Sequence, residues 1–469
     1  MLPKQTEGLF DKDTALLIGG LATFWPCIKE PTFFLVGFLQ KSNVGAMWGL
    51  LSLLLYLAAV LLASAALARL LRNHRDLLSK KGIIAFAGCC GAAGFAMASS
   101  EGFFNAIGVA MLIPDSIFIV VFVNAWGGML VERSKSSIPL IVALSFALSE
   151  LLKLSCALLD VSWGAVVFSL VSAVLLLLAS HGGGATLSLG KFCTKAFPWQ
   201  FLAPFVGFVA LWSFVLGFST EDTLGSLSWS GRIWLYGLGG ASLLAMALFF
   251  GAMAKKGFSR HALLHPLVTV VIVYMAMLAL VIYPQTFDHG FVKVGMLVMQ
   301  GCLNALAFIL VSYTVAERRL PQVMLFALCA TLFNGSFWMI LGDMVKSMGH
   351  GSVSLANSHV ALVLLFVTTS VLIVFLLRYV TQLDKGLRRQ KAQTTVEEAL
   401  CDKLASAKGL TEREKDILSL LYRGYSGKAM SQELFISEST VRTHTDRVYR
   451  KLSVHSKQEL IKMVDAYRD

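Results

Sequence analysis

Hydrogen-bonding and charged side chains recur at short intervals between residues 439 and 451, in a stretch whose apolar residues have helical spacing. The short donors stand at the start of this helix, where the helix dipole and free amides already favour a phosphate. Arg442 can reach a guanine edge or a phosphate, and the later basic residues can neutralise backbone phosphates. The stretch therefore has the chemistry of a nucleic-acid contact, with the candidate residues Ser439, Thr440, Arg442, Thr443, His444, Asp446, Arg447, Arg450 and Lys451.

Asp446 is the acidic member of this set, and the sequence allows two interpretations of it. It lies one turn after Arg442, where its carboxylate can accept a hydrogen bond from cytosine. It can equally pair with Arg442 or Arg450 and make no contact with a base. The sequence alone leaves both alternatives open.

Apolar periodicity and capping residues predict four short helices around these side chains. Thr411 and Glu414 have the spacing of a capping box at the start of the first helix. The second and third helices are separated by only a few residues, which is the spacing of a helix-turn-helix whose third helix enters a major groove. The predicted helices begin after Thr411, run from about Ser426 to Phe435 and from about Glu438 to Leu452, and begin again at Ser456.

Motifs spread through this stretch form one known pattern. They are Leu410-Thr411-x-Arg413-Glu414 with Leu418 and Leu421, Gly424 at the end of the first helix, Ser437-x-x-Thr440-Val441-Arg442-x-His444, and Lys451-Leu452-x-Val454 with Glu459-Leu460. On these residues the segment 408–469 resembles the LuxR-type DNA-binding domain over almost its whole length. Met430-Ser431 departs mildly from the family, which commonly has an aliphatic residue followed by alanine at that place.

The resemblance implies that the partner of residues 408–469 is double-stranded promoter DNA. Twelve basic against nine acidic residues give this domain only a small positive excess, so we expect two copies, a homodimer, on a two-fold DNA site. A helical protein-binding module is the alternative. Gly424 is predicted to take the left-handed conformation that stops a helix. The predicted core consists of Leu418, Leu421, Met430, Leu434, Ile436, Val441, Val448, Leu452 and Leu460.

The composition of the first 380 residues excludes an ordinary water-soluble globular domain. Of the 469 residues in the chain, 56% are apolar and only 14% are charged, and 30 of the 68 charges lie after residue 380. A membrane span needs about 20 mostly apolar residues. Windows of that length predict twelve spans, or eleven if Lys29, Glu30 and Pro31 interrupt the first one. The windows are 14–39, 44–70, 82–100, 103–131, 137–158, 161–180, 198–219, 231–254, 264–284, 290–315, 320–344 and 356–380.

The charges between these windows predict the orientation of the chain. Alternate loops hold fourteen Lys and Arg residues, among them Arg133 and Lys135, whereas the other loops hold four. Short cytoplasmic loops collect Lys and Arg. The expected location is therefore the cytoplasmic (inner) membrane, with the lipid bilayer as a partner, many passes and both termini in the cytoplasm.

Two sets of six windows are separated by a glycine-rich stretch from His181 to Ala196. This layout resembles the major facilitator architecture, in which two six-helix halves enclose a central cavity. The loop between the second and third windows reads ALARLLRNHRDLLSKKG and lacks the family's ordered Gly and Asp-Arg-Gly residues, which puts active transport in doubt. The predicted fold is all-α, with a transmembrane domain at 1–380, a cytoplasmic linker helix at 381–407 and a small four-helix domain at 408–469.

The linker helix has an apolar stripe, and its basic residues favour a place at the inner leaflet. Val396, Leu400 and Leu404 recur at four-residue spacing. The stripe can dock on the following domain or pair with a second copy. Lys385, Arg388, Arg389 and Lys391 form the basic cluster, for which DNA contact is the less favoured alternative.

Ionisable and polar residues inside the predicted spans are functional candidates, because charge is costly in lipid. Glu150 and Lys153 are three residues apart on one helix and are expected to neutralise each other. Asp115 follows Pro114 in its window, where a kink would free backbone groups around a carboxylate that either lines a cavity or is packed. A ligand cavity is predicted, with the candidate residues Asp115, Asn124, Trp126, Asn304, Asn334 and Trp338.

These observations predict a membrane-embedded one-component transcriptional regulator. An unknown small molecule would bind in the transmembrane bundle, and the C-terminal helix-turn-helix would bind promoter DNA. A major-facilitator-like transporter with a regulatory tail is the alternative. No nucleophile with a base, metal-ligand cluster or phosphate-binding loop is recognisable, so we expect neither an enzyme nor a metal or cofactor.

Overall fold

The computed structural model consists of helices throughout the part of the chain that it describes. The chain divides into two compact units, Met1–Phe375 and Leu376–Asp469. The described residues are 11–41, 46–73, 77–99, 112–159, 164–180, 229–256, 289–318, 399–434 and 436–466, with single residues or short pieces at 207, 209–214, 265–266, 268–270, 272–273, 326, 338, 341–342, 367 and 397. The expectation of an all-α fold is confirmed.

Eight long helices and one short 3-10 helix, Leu77–Ser79, have described bounds in the first unit. Each described helix overlaps one of the predicted apolar windows, because a chain in hydrocarbon must satisfy its backbone groups internally. The helices are α1 Lys12–Lys41, α2 Ala46–Asn73, α3 Lys81–Ser99, α4 Leu112–Val131, α5 Ile138–Leu158, α6 Gly164–Ser180, α7 Trp229–Lys256 and α8 His289–Arg318.

Five stretches in these helices are long and apolar enough to cross a membrane, judged by length and composition. They are Leu54–Leu71, Ile113–Val131, Ile138–Leu158, Trp229–Ala254 and Val294–Tyr313. Apolar side chains such as Leu62, Phe86 and Leu248 stand exposed on the outside of the unit, which suits lipid better than water. The first unit therefore has the character of a membrane protein, while the count of twelve spans stays a prediction.

The first apolar window is one continuous helix, since α1 runs through Lys29, Glu30 and Pro31 without interruption. α4 is described from Leu112, and Asp115 lies in its first described turn. Proline is tolerated in a first turn, where its missing N–H would have no helical partner.

Glycines let the helices of this unit approach closely where bulky rings lie opposite. A methyl group added at Gly20 of α1 would lie 2.1 Å from the ring of Trp126 on α4. One added at Gly91 of α3 would lie 2.7 Å from Phe118. Such clashes show that the rings occupy the space that a side chain would take.

The helices α5 and α7 pack antiparallel along most of their length. The indole Nε1 of Trp229 donates to the carbonyl of Ala157 at 3.0 Å, near the end of α5 and the start of α7. At the other end, a methyl group added at Gly251 would lie 3.6 Å from Leu140. This pair of helices forms one continuous seam.

The start of α1 is tied to the loop between α4 and α5. Asp11 accepts from the amide of Thr14 at 2.7 Å and so caps α1, and its other oxygen meets Arg133 at 3.2 Å. Hydrogen bonds from Thr14, together with the charge of Arg133, lower the pKa of Asp11 below its ordinary value. Residue 11 and the loop around Arg133 therefore lie at the same end of the helices.

The second unit contains the four short helices that the sequence predicts. They are α9 Glu412–Tyr422, α10 Gly427–Leu434, α11 Glu438–Leu452 and α12 Lys457–Asp465. Thr411 and Glu414 form the predicted capping box of α9, and Ser437 and Ser456 cap α11 and α12 with their hydroxyl groups. All nine predicted core residues lie in or against one apolar cluster.

A further helical segment, residues 399–407, belongs to the same core. Leu400, Cys401, Leu404 and Ala405 are buried in it beside Ile417, which lies on α9. Asp402 and Lys415 add an ion pair of 2.9 Å between the segment and α9, and the hydrogen bond raises the pKa of Lys415. Of the two alternatives for the apolar stripe, docking on the following domain is the arrangement in the structure. Val396 and the basic residues from Lys385 to Lys391 lie outside the described residues.

Three helical segments of this unit end with a residue in the left-handed conformation. Gly409, Gly424 and Ser453 have φ values of 61°, 90° and 55°, and each is followed by an amide that donates to the carbonyl five residues back. The prediction for Gly424 is confirmed. Glycine adopts this conformation freely, whereas a residue with a Cβ is strained by roughly 1–2 kcal/mol.

We expect Gly424→Ala to lower the free energy of unfolding of the second unit by roughly 1–2 kcal/mol. The space around Gly424 is open, so backbone strain is the cause rather than a clash. Urea unfolding of a fragment of residues 381–469, which contains the whole apolar cluster, followed by circular dichroism, measures the change. Gly427→Ala is the matched control, because Gly427 is also open but lies in a helix with ordinary φ, and an equal loss in both variants would contradict the explanation.

Candidate nucleic-acid interface

The helix α11 has one buried face and one exposed face. Val441, Val448 and Leu452 are buried in the core and fix the helix in the unit. Residues of the opposite face recur every three or four positions. This face carries most of the side chains that are predicted to contact DNA. The exposed members are Ser439, Arg442, Thr443, Asp446, Arg447 and Arg450.

Hydroxyl groups cluster at the N-terminus of α11. The Ser437 Oγ lies 2.7 Å from the Ser439 Oγ and 2.8 Å from the Thr440 Oγ1, and it also accepts from the Thr440 amide at 3.1 Å. Thr443 donates to the carbonyl of Ser439 at 3.0 Å. The hydroxyls are thus already oriented at the positive end of the helix dipole, which suits a phosphate. Ser437, which the sequence identified only as part of a motif, organises this cluster.

The three exposed arginines of α11 are available for an outside partner. Within the described part of the unit, no ion pair joins Asp446 to Arg442 or Arg450, so internal pairing does not occupy these guanidinium groups. Arg442 is nearest the N-terminus of the helix, and Arg450 lies in its last turn. The contact of Asp446 with cytosine stays a prediction.

His444 is only half exposed, unlike Arg442 and Thr443 on the exposed face of α11. Its Nδ1 is enclosed by the protein and has no hydrogen-bond partner among the described residues. The other ring nitrogen, Nε2, is therefore the one that can meet a phosphate. Thr440 is half buried as well, beside Val441.

Lys451 has an internal role that the phosphate prediction did not include. Its ammonium donates to the buried Glu414 carboxylate at 2.6 Å and to the carbonyl of Gly409 at 3.0 Å. The hydrogen bond from Lys451 is the largest of the effects that lower the pKa of Glu414 to about 2, and the Thr411 amide adds to it. Glu414 thereby joins the end of α11 to the start of α9. Nothing in sequence spacing relates residues 414 and 451, so only the fold reveals this pair.

The ligand candidates on α4 are packed against neighbouring helices. The carboxylate of Asp115 lies where a side chain at Gly94 would be, and Asn124 donates to the Val120 carbonyl of its own helix at 2.8 Å. Trp126 is fully buried and donates to Ser172 at 3.1 Å. Asp115 and Trp126 are eleven residues apart, about 16 Å along the helix axis, so a compact ligand contacts one end or the other.

Asn304 belongs to a buried polar chain between α8 and the helical residues 209–214. Ser213 donates to Gln300 at 2.9 Å, and Gln300 donates to Asn304 at 2.9 Å. Trp338 is half buried, and Asn334 lies outside the described residues. The assignment of these residues to a ligand site stays a prediction.

Glu150 and Lys153 form the ion pair that their spacing predicts. The pair lies at the seam between α5 and α7, with Lys153 5.2 Å from the centre of the Tyr236 ring. Across the described chain, no group of three His, Cys, Asp or Glu side chains could hold a metal ion.

Residues 408–464 match the sequence model of the family described as "Bacterial regulatory proteins, luxR family". The same part of the chain is similar to curated regulators. The response regulator protein TodT of Pseudomonas putida is 38% identical over 60 residues, which are 13% of this chain and 26% of that protein. The HTH-type transcriptional regulator MalT of Vibrio campbellii is 38% identical over 52 residues, 11% of this chain and 6% of that one.

A third relative has a longer similar stretch. The oxygen regulatory protein NreC of Staphylococcus epidermidis is 33% identical over 85 residues, 17% of this chain and 39% of NreC. The similar stretch of 85 residues is longer than the segment 408–469, so the similarity includes residues before 408. The chain spans about a quarter of the length of the TodT relatives and less than half of each of the others.

Among solved structures, a mutant of the nucleoside transporter NupG is similar to the chain with a TM-score of 0.44 and 14% sequence identity. The similarity covers 77% of this chain and 99% of that one.

We expect the Glu414–Lys451 pair to make the second unit sensitive to acid. A lowered pKa means that the carboxylate stabilises the fold above its ordinary value of 4.5, and this contribution is lost as the pH falls through about 2. Glu414→Gln should lower the free energy of unfolding at pH 7 by roughly 1–3 kcal/mol and flatten its fall between these pH values. Urea unfolding of the 381–469 fragment at several pH values measures both effects.

The matched control is Glu412→Gln, which removes the same charge from an exposed position of the same helix. Its free energy of unfolding, and the pH dependence of that free energy, should stay close to those of the unmodified fragment. Equal pH profiles for Glu414→Gln and the unmodified fragment would contradict the assigned role.

Proposed function

We propose, from the premise that residues 408–464 form a helix-turn-helix domain of the luxR family, that the protein is a membrane-embedded one-component transcriptional regulator. In this proposal residues 1–380 sense a small molecule within the membrane, and residues 408–469 bind promoter DNA. Residues 381–407 connect these two domains. The whole-protein activity is our inference, because the similar regulators share only their DNA-binding part with this chain.

The observation that carries the proposal is the exposed face of α11. A helix whose apolar side is buried and whose other side presents Arg442, Arg447 and Arg450 has the shape and charge of a major-groove reader. The ordered hydroxyls at its N-terminus add phosphate donors on the same helix. The modest positive excess of the domain supports binding as a homodimer on a two-fold site.

The helical segment 399–407 supports a mechanical connection to DNA binding. Its apolar residues are part of the core that also holds α11, so this segment and α11 move as one body. A displacement of the chain before residue 399 therefore acts on the orientation of the whole domain. We propose that ligand binding changes how two such domains approach each other, through a coupling free energy of a few kcal/mol.

The proposed location is the cytoplasmic membrane with both termini in the cytoplasm. The Asp11–Arg133 ion pair supports this orientation, because it joins the N-terminus to a loop that also contains Lys135. The candidate ligand residues remain Asp115, Asn124, Trp126, Asn304, Asn334 and Trp338, of which Asp115 is the ionisable one. A compact ligand would contact Asp115 or Trp126 but not both.

We expect Arg442→Ala to weaken promoter binding by roughly 1–3 kcal/mol and to relax specificity at one base pair. Genome-wide occupancy of the intact cross-linked protein finds the promoters, and gel-shift titration with one of them measures the loss. The control is Arg413→Ala, which removes the same charge from an exposed position on α9 instead of α11. Discrete promoter peaks that survive in Arg442→Ala would remove this residue from the interface, and the absence of any peaks for the unmodified protein would refute the regulator.

A further inference from the structure

One stripe of α7 faces α5 along the seam. Trp229 donates to the carbonyl of Ala157, the Tyr236 ring lies under the ammonium of Lys153, and a methyl group at Gly239 would lie 3.5 Å from Glu150. Residue 232 falls between the first two of these contacts at the same three-and-four spacing, so Arg232 lies on the same stripe. We call Glu150, Lys153, Arg232 and Tyr236 the seam cluster.

The ion pair of the seam cluster does not hold α5 against α7. Glu150 and Lys153 both belong to α5, so their attraction contributes nothing between the two helices. Both side chains are largely withdrawn from solvent, which costs several kcal/mol per ion before any pairing energy is regained. The contact of Lys153 with the Tyr236 ring is what reaches α7. Charged side chains at this depth in a membrane bundle are candidates for ligand binding.

Among the residues that the structure describes, the charges of the seam cluster do not balance. Lys153 and Arg232 carry two positive charges, and Glu150 carries one negative charge. The Nε of Arg232 is buried and has no hydrogen-bond partner among the described residues. One further anion would neutralise the cluster and accept from this nitrogen, and the planar guanidinium fork fits a carboxylate in particular.

Apolar side chains adjoin the charges on the α7 and α8 side. Tyr236 packs against a small buried cluster of Leu235, Val294 and Val298. A ligand with a carboxylate and an apolar or aromatic body would therefore find a partner for each of its parts.

The seam cluster lies toward the end of the bundle that is remote from Arg133. The helix α5 starts directly after the loop of Arg133, whereas Lys153 and Ala157 are in its last turns. The exposed Trp229 and Trp234 stand at the matching end of α7, as aromatic residues do at a membrane–water interface.

We propose that the seam cluster is a binding site for a small monocarboxylate with an apolar body, reached from the membrane side opposite to the loop of Arg133. Arg232 binds the carboxylate, Lys153 shares its charge between the ligand and Glu150, and Tyr236 contacts the apolar body. This assignment rests on the proposed function, because it names the class of signal that the membrane unit senses, and it places that signal at the seam cluster instead of at Asp115 or Trp126.

Titration of the full chain in detergent micelles with benzoate, followed by tryptophan fluorescence, tests the proposal. Benzyl alcohol is the matched probe, since it keeps the ring and replaces the carboxylate with a neutral group. We expect saturable benzoate binding that Arg232→Gln weakens by roughly thirtyfold or more, the loss expected when one partner of a buried charge pair is removed. Arg232→Lys keeps the charge without the planar fork. Its affinity for benzoate should therefore lie between that of the unmodified protein and that of Arg232→Gln.

Three outcomes would overturn the site. They are no saturable binding of benzoate to the unmodified protein, equal affinity for benzoate and benzyl alcohol, and unchanged benzoate affinity in both Arg232 variants. Thermal unfolding checks that each variant is folded. If Arg232→Gln is not folded, the benzoate affinity of Arg232→Lys decides the test.

Arg442→Ala separates this proposal from the proposed function. It should bind benzoate like the unmodified protein while losing promoter DNA, because Arg442 lies in the other unit. Promoter binding that persists in Arg442→Ala would count against its role in DNA recognition and would leave the benzoate result to stand by itself.

Discussion

Hydrocarbon cannot hydrogen-bond to a peptide group, and this constraint determines the form of most of the chain. Every backbone donor and acceptor in a span must find its partner within the segment, so long apolar helices are the result. The same medium supplies little drive for helices to associate, and close packing takes over that role. The fit of Trp126 against Gly20 and of Phe118 against Gly91 shows how the bundle obtains it.

The sequence predicted those elements whose determinants are local. Capping residues at Thr411, Ser437 and Ser456 set the helix starts of the second unit to within a residue or two, and Gly424 set a helix end. In the first unit, apolar length located the described helices, and α1 runs through Pro31 because one proline need not end a helix.

The sequence could not predict contacts between residues far apart in the chain. The two faces of α11 were recognisable, since its periodicity separates buried from exposed residues. The internal role of Lys451 depends on Glu414, 37 residues earlier, and on a carbonyl of the preceding turn. That the stripe of α7 with Trp229 and Tyr236 faces Ala157 and Lys153 likewise appears only when α5 and α7 are packed. Two ion pairs with the same chemistry thus have opposite structural roles: one joins helices that are distant in sequence, and the other stays within a single helix.

The helical segment 399–407 has a consequence for how such regulators are assembled in evolution. A domain of fewer than sixty residues buries a small fraction of its surface and is only marginally stable by itself. Here Leu400, Cys401, Leu404 and Ala405 enlarge its core from outside the boundary of the family. The packed unit therefore includes residues 399–407 as well as 408–464. A gene fusion that joined a new receptor at residue 408 would transfer α11 without part of the core that supports it.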